Sequence, residues 1–323
     1  MQIGILGAAR ITTQVLIEPA RVVDGVELRS VVARDPQKAA EYAALHGIPR
    51  VFATYEEVLD DPDVDVVYVP LVNSLHARWT IAALNSGKHV LCEKPIGSNA
   101  QQAAEMHEAA LRNDRLLIEA FHWRYHPVAE RMLELCAAIG PLEDLTARLS
   151  VRTPPGDTRF QLDLSGGAVM DLGSYCINMV RAIVGSEPVV ESARSIEDPP
   201  GIDATTEAVL RFPAGLRADI YCSMVGVSSW PESMSIRAKG AGGSLEVLNS
   251  LIPHVGHRIT AQLADGQTLD EVLDAPSTYE CQLRAFVEII AGNRAPLTGS
   301  ADAIKNMTVI DAIYDATGLG RRG

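Results

Sequence analysis

Cysteine is sparse and unpatterned in this chain. Cys92, Cys136, Cys176, Cys222 and Cys281 form no CxxC pair and no Cys/His cluster. An odd, scattered set argues against a disulfide framework and predicts reduced thiols in a cytoplasmic protein. His, Asp and Glu do not gather at ligand spacing either, so no metal is expected. Basic charge is short: 28 Lys and Arg stand against 41 Asp and Glu, a formal net charge of -13. That balance argues against a nucleic-acid partner, which needs clustered cations over phosphates. It leaves room for a local basic pocket. No apolar run is long enough to span a bilayer, so no membrane partner is expected. Gln2-Ile3-Gly4-Ile5-Leu6 runs straight into a glycine turn, too short for the apolar part of an export signal. Internal repeats and low-complexity tracts are also missing.

What remains is an ordinary globular composition, 47% hydrophobic over 323 residues, long enough for two domains. The first third alternates strand and helix patterns. Ile3–Leu6 reads as a strand, followed by helical spacing through Ile11, Val15, Leu16 and Ala20. Val26–Ala33 reads as the second strand, and Asp35-Pro36 as a cap with proline at the first helical position. Val64–Val69, His89–Cys92 and Leu116–Phe121 are further strands, with helices over Leu75–Ser86 and Asn99–Arg112 between them. Such alternation predicts an α/β fold, a doubly wound parallel sheet with helices on both faces. Past residue 122 the rhythm changes. Leu142–Arg152, Val189–Ile196, Thr205–Phe212, Leu216–Val225 and Ser233–Lys239 read as strands with hairpin turns. A helical segment follows Gly166-Gly167, and helices over Thr278–Ala291 and Ser300–Thr317 close the chain. The expected domains are 1–121, a parallel Rossmann sheet, and 122–323, an α+β domain with a mostly antiparallel open sheet, the C-terminal helix packing back on the first.

The first strand ends in Gly7-Ala8-Ala9-Arg10-Ile11-Thr12. Aligned on GxGxxG, Gly7 keeps the tight turn, while Ala9 and Thr12 replace the glycines that admit pyrophosphate and close helix packing. Gly7, Ala8, Ala9, Arg10 and Ile11 are candidate cofactor contacts, because the turn opens the chain ahead of a βαβ unit. At the end of strand two stands Ala33-Arg34-Asp35, where an NAD site usually carries an acid for the ribose hydroxyl. A small neutral residue followed by arginine leaves room for a 2′-phosphate and supplies a guanidinium to pair with it. Asp35 suits a helix cap better, and Glu27 sits at the wrong end of the strand. Arg34 also reads as a solvated loop arginine. The expected cofactor is NADP, with NAD the alternative.

Two further segments lie just past strand ends, where open α/β sheets bind ligands: Pro70 to His76, and Glu93-Lys94-Pro95. A lysine there can hold a substrate hydroxyl and stabilise charge developing on it, and the following proline fixes the chain direction, by a cis bond if one forms. Glu93-Lys94 reads equally as an exposed charge pair. Asn73 and His76 are candidates for the cofactor side, His76 also as helix-start structure.

Taken together, several runs resemble the glucose–fructose oxidoreductase/inositol dehydrogenase (Gfo/Idh/MocA) family. They are Asn73–His76, Gly87–Pro95, Glu119–Pro127, Gly166–Tyr175 and Thr278–Phe286, which span nearly the whole chain. The resemblance implies a Rossmann domain followed by a substrate domain with an exposed, self-associating sheet, hence a homodimer or homotetramer. It assigns the family's lysine to Lys94. The family's Asp-x-Gly-x-His is here Asp171-Leu172-Gly173-Ser174-Tyr175, so tyrosine replaces the usual histidine. That departure resembles the subgroup of dimeric dihydrodiol dehydrogenases and NADP-dependent aldose dehydrogenases such as xylose dehydrogenase.

The implied activity is hydride transfer between nicotinamide and a sugar alcohol or ketone, of the aldose 1-dehydrogenase type. A trans-dihydrodiol dehydrogenase or keto-sugar reductase is the alternative, so the expected substrate is a sugar or cyclic diol. A cofactor-bound sensor or scaffold without turnover is the alternative from another class, against which the set Lys94, Asp171 and Tyr175 stands. Tyrosine, with an ordinary pKa of about 10, needs a neighbouring ammonium to act near neutral pH, and Lys94 is its expected companion. Asp171, four residues earlier, would share a helix face with Tyr175; it also reads as a helix cap. Arg124 is a candidate at the cofactor or domain junction. Arg159, Phe160 and Trp123 are candidates for the substrate side, and Trp230 for a pocket or interface.

Overall fold

The described residues of the computed structural model, 1–226 and 233–323, fall into two units. Met1–His122 joins Tyr279–Ile304, and Trp123–Thr278 joins Lys305–Gly323. In the first unit the chain runs β1 (Gln2–Leu6), α1 (Glu18–Ala20), β2 (Glu27–Val32), α2 (Pro36–His46), β3 (Arg50–Phe52), α3 (Tyr55–Asp60), β4 (Val66–Val69), α4 (Asn73–Asn85), β5 (His89–Cys92), α5 (Ala100–Arg112) and β6 (Leu117–Glu119). The strands pair in parallel in the order β3-β2-β1-β4-β5-β6. Helices on both faces bury the central strands, which is why β4 reads as an unbroken apolar run.

Local chemistry sets the helix ends. The Asp35 carboxylate accepts from the Gln37 and Lys38 amides, Pro36 occupies the first turn, and Gly47 closes α2 in the left-handed region. Thr54 and Glu57 form a capping box on α3, and Asn99 caps α5. One expected helix takes an irregular form. The helical spacing from Ile11 to Ala20 becomes a wide turn, Thr13–Ile17, closed from Glu18 to Thr13, followed by the three residues of α1. Pro19 has no amide hydrogen to continue an ordinary ladder there, and Ile11 is left 44% exposed. Neither β3 nor α3 was foreseen; each is too short to show a period.

β6 gains a neighbour from far along the chain. Ile118 bridges Gly299 in antiparallel fashion. The Glu119 amide donates to Thr298 O at 2.9 Å, and Thr298 Oγ1 donates to Glu119 O at 2.8 Å.

The second unit contains α6 (Pro127–Ala138), β7 (Leu142–Ser150), α7 (Ser174–Val184), β8 (Val189–Glu197), β9 (Asp203–Arg211), β10 (Arg217–Ser223), β11 (Met234–Gly240), β12 (Gly243–Leu248), β13 (Arg258–Leu263) and β14 (Thr268–Glu271). Its eight-stranded sheet has the order β14-β13-β12-β11-β7-β10-β9-β8. β7 and β10 run parallel, and the other pairs are antiparallel. Strands β12 to β14 follow glycine and loop segments that masked their alternation in the sequence. One face packs under α7 through Leu145, Ala147, Leu149, Ala218 and Ile220, all buried. On the other face the Arg148 guanidinium stacks 4.5 Å from the Tyr221 ring centre.

Two helices close the chain, α8 (Thr278–Ile290) and α9 (Ser300–Thr317). Residues Tyr279–Ile304 belong to the first unit, whereas α9 from Lys305 and the C-terminal residues belong to the second. No helix among the described residues is long and apolar enough to cross a membrane.

Candidate active site

In the first unit β1, β4 and β5 lie side by side, so their carboxyl ends bring Gly7, Pro70 and Lys94 to one edge of the sheet. The strand order reverses direction between β1 and β4, the position at which open α/β sheets form a ligand crevice. The Gly7 amide donates to Val32 O at 2.8 Å, and its φ of +117° suits glycine. A Cβ on Gly7 would meet the Leu71 side chain at 3.2 Å, so the missing side chain keeps the turn open. Ala8 is buried, Ala9 half-buried, and Arg10 and Ile11 exposed. Thr12, at the third glycine position, is fully buried. The Tyr42 hydroxyl donates to Ala9 O at 3.3 Å, a support from α2 that the sequence did not announce.

Arg34 is exposed at the end of β2, close enough for its charge to act on Tyr55. Tyr55 in turn meets Trp79 edge-on at 4.5 Å. Asp35 is committed to capping α2, which leaves Arg34 as the charged side chain at this strand end with no such commitment to the helix.

The segment around Lys94 is braced by its neighbours in the same sheet. Lys94 and Glu93 are half-buried, and the Lys94–Pro95 peptide is cis, as the sequence allowed. The buried Tyr68 hydroxyl donates to Glu93 Oε1 at 2.7 Å. Burial and then the Glu93 charge push the Tyr68 hydroxyl well above the usual range, and push Tyr279 up to about 12. Both therefore stay neutral hydroxyls beside Glu93. The Ile96 amide donates to buried Glu119 Oε1 at 2.8 Å.

His76, expected on the cofactor side, has no exposed surface. Its Nδ1 lies 2.8 Å from Pro95 O and its Nε2 2.9 Å from Leu71 O, so it ties the loop after β4 to the loop after β5. Burial, with some help from the Lys94 charge, lowers its pKa against the pull of the two carbonyls. His76 is thus a bracket behind the edge rather than a surface contact. Pro70 is likewise buried, and Asn73 is half-buried at the first turn of α4.

In the second unit the stretch after Gly166-Gly167 begins with another wide turn, Val169–Gly173, before α7. The spacing from Asp171 to Tyr175 therefore passes through a π-type turn rather than an ordinary α-helix. Asp171 pairs with Arg159, whose Nε lies 2.8 Å from Asp171 Oδ2. Arg159 also contacts Asp157 at 3.1 Å, and its pKa is raised chiefly by the Asp171 charge. Two residues expected separately, one as wall and one as catalyst, thus meet. Tyr175 is 6% exposed on the first turn of α7.

Trp123 departs from its expected place on the substrate side: it is fully buried, and its indole N–H donates to Asn178 Oδ1 at 3.1 Å. An indole whose surface and donor are both used inside the protein packs as core. Arg124, expected near the cofactor, belongs to the second unit and stacks 5.3 Å from the Trp123 ring centre. Phe160 is half-buried in a short 3-10 turn, and Trp230 lies outside the described residues. Among the described residues no three of His, Cys, Asp and Glu come together as a metal site would need.

Two family descriptions match the sequence. That of an oxidoreductase family with an NAD-binding Rossmann fold covers residues 1–121, and that of the GFO/IDH/MocA C-terminal domain covers residues 134–246. A D-xylose 1-dehydrogenase (NADP(+)) 2 from Haloferax volcanii is 33% identical over 326 residues, covering 99% of this chain and 98% of that protein. A trans-1,2-dihydrobenzene-1,2-diol dehydrogenase from Xenopus tropicalis is 32% identical, with 98% of each chain covered. The crystal structure of an aldose-aldose oxidoreductase from Caulobacter crescentus, complexed with glycerol, matches with a TM-score of 0.89 at 27% identity over 99% of this chain and 98% of that one.

Proposed function

The chain belongs to the Gfo/Idh/MocA oxidoreductase family, and on that footing we propose that it transfers hydride between NADP and a CH–OH/C=O group of a sugar, as an aldose 1-dehydrogenase. What carries this proposal is Lys94 at the carboxyl end of β5, on the same edge of the sheet as the Gly7 turn and next to β4, where the strand order reverses. The residues present fit the dinucleotide: an open glycine turn, and an exposed arginine where the neighbouring acid is already spent on a helix. Gly7, Ala9 and Arg10 would line the pyrophosphate, and Arg34 would pair with a 2′-phosphate.

When bound, the nicotinamide supplies or takes the hydride. Lys94 holds the reacting oxygen and offsets charge on it. Tyr175 gives or takes its proton. Asp171, neutralised by Arg159, orients a further hydroxyl. Glu93, held by Tyr68, keeps the Lys94 turn in place.

Whole-length similarity to a dihydrodiol dehydrogenase supports a second substrate class, cyclic trans-diols. Association as a homodimer or homotetramer through the outer face of the eight-stranded sheet is part of the same proposal, as is a cytoplasmic location suited to five free cysteines. The test is NADP+ reduction, followed by absorbance, with D-xylose, other aldoses, polyols and trans-dihydrodiols. Turnover with at least one aldose is expected. Tight NADPH binding without turnover of any of them would overturn the proposal in favour of a sensor.

A further inference from the structure

The stretch that carries Asp171 and Tyr175 is held at its start by groups remote in sequence. Val169 begins a helical run whose first amides need acceptors, and Ala168 before it offers no side-chain cap. The acceptor is Asp203, the first residue of β9: its Oδ2 accepts the Val169 amide at 2.7 Å. A carboxylate at a helix start is favourable by hydrogen bonding and by the helix dipole. Asp203 has no exposed surface, so something must hold its charge in place. Arg322 does so. Its Nη2 donates to Asp203 Oδ1 at 2.8 Å, its Nε donates to Gly166 O at 3.1 Å, and its guanidinium stacks 4.1 Å from the Tyr314 ring centre.

Tyr314 adds its hydroxyl, which donates to Asp203 Oδ1 at 2.9 Å. Both Arg322 and Tyr314 are buried. Burial pushes the Asp203 carboxyl up, while the Val169 amide, Arg322 and Tyr314 oppose that rise. Gly167 completes the arrangement. Its φ is +131°, and a Cβ there would collide with Asp203 Oδ1 and stand 2.7 Å from the Tyr314 hydroxyl. Further along the same stretch, Asn306 Nδ2 donates to Ser174 O at 3.2 Å.

We infer that Arg322 is a positioning residue for Tyr175: by clamping Asp203 and Gly166 it fixes where the Val169–Tyr175 stretch begins, and so where the phenol hydroxyl is presented. This rests on the role proposed for Tyr175. An arginine suits the task because a flat guanidinium can stack on one group and donate to two others at once, which an ammonium cannot do.

The test uses the full chain. Arg322→Ala should lower kcat about 10- to 100-fold, the range for a catalytic group displaced by about an ångström. The Kd for NADPH, read by fluorescence titration, should stay within twofold. Millimolar guanidinium should restore part of the lost kcat in Arg322→Ala and leave the wild type unchanged, and Arg322→Lys should fall between the two. Tyr314→Phe, which keeps the ring and removes the hydroxyl, should show a smaller loss confined to kcat, and it carries the test if Arg322→Ala does not fold. Wild-type kcat in folded Arg322→Ala overturns the inference. So does a loss shared equally by kcat and NADPH affinity and untouched by guanidinium. Tyr175→Phe run alongside separates the failures: full activity there removes Tyr175 from the reaction and the inference with it, whatever Arg322→Ala shows.

Discussion

The two units support their candidate residues in opposite ways. Around Lys94 the braces come from adjacent strands and their loops: His76 lies 19 residues from Pro95, and Glu119 lies 23 from Ile96. Around Tyr175 they come from across the chain: Asp203 is 34 residues from Val169, and Arg322 is 156 from Gly166. A parallel sheet built from repeating βα steps places neighbours in space that are also near in sequence. The eight-stranded sheet also pairs mostly sequence neighbours, but β7 lies between β11 and β10, and the groups that hold the Val169–Gly173 turn come from β9 and the C-terminal residues. The braces nearest Lys94 therefore come from nearby sequence, although Glu119 is itself completed by Thr298, whereas those of the Val169–Tyr175 stretch come from far along the chain.

The sharpest way to break this comparison is to remove the chemistry from each side in turn. Tyr175→Phe should lower kcat by about 10²- to 10⁴-fold with NADPH affinity unchanged, because one proton donor is lost and nothing else. Lys94→Ala should cost a comparable factor. If either substitution instead abolishes NADPH binding in fluorescence titration, the division of labour between the units is wrong. Next in size is Arg34→Ala. A charge-assisted hydrogen bond contributes about 1.5–3 kcal/mol, so NADPH should bind roughly 10- to 100-fold more weakly and NADH hardly differently. Equal weakening of both cofactors would remove Arg34 from phosphate recognition.

His76→Ala probes the local brace. It strips the imidazole from the buried Pro95 carbonyl and the half-buried Leu71 carbonyl and should destabilise the fold by about 2 kcal/mol in urea unfolding. KM for NADP+ should rise as the two loops loosen. A change in stability with unaltered kinetics would make the bracket irrelevant to the site.

The last effect concerns stability against pH and leaves the reaction untouched. Burial lowers the His126 pKa from 6.5 to about 4, where its Nδ1 accepts the Val128 amide and its Nε2 faces Pro276 O. Between those two values the unfolded chain binds more protons than the folded one, so stability rises with pH across the window and is lost as pH falls from 6.5 to 4. Melting curves over that range should show a slope of a few degrees that His126→Asn flattens. An unchanged slope would assign the effect to other groups.

Much of this was legible in advance where the signal is local. Asp35-Pro36 marked the start of α2, Asn99 that of α5, and Ser300–Thr317 bounds α9 as expected. The strands around Lys94 showed as apolar runs because both faces of the sheet are covered. What escaped was whatever depends on a partner elsewhere. Nothing near Asp171 announces Arg159 as its counter-ion, and nothing near Val169 announces Asp203 as its cap. Trp123 sat in a family-like run and was expected on the substrate side; its full burial and its bond to Asn178, 55 residues away, put it in the core. The wide turns at Thr13–Ile17 and Val169–Gly173 also escaped, since a π-type turn uses the same apolar residues as an α-helix.

The strand pairing at the edge of β6 bears on the order in which the protein can be made. Ile118 and Glu119 leave the ribosome roughly 180 residues before Thr298 and Gly299, which complete their hydrogen bonding. Until then the newborn first unit exposes an unfinished strand edge, a surface open to pairing with another chain. A fragment ending at His122 would keep that edge for good. Cutting the chain once between the units therefore does not yield a finished cofactor domain, and joining 1–122 to 279–304 by a short linker is the design that the topology favours.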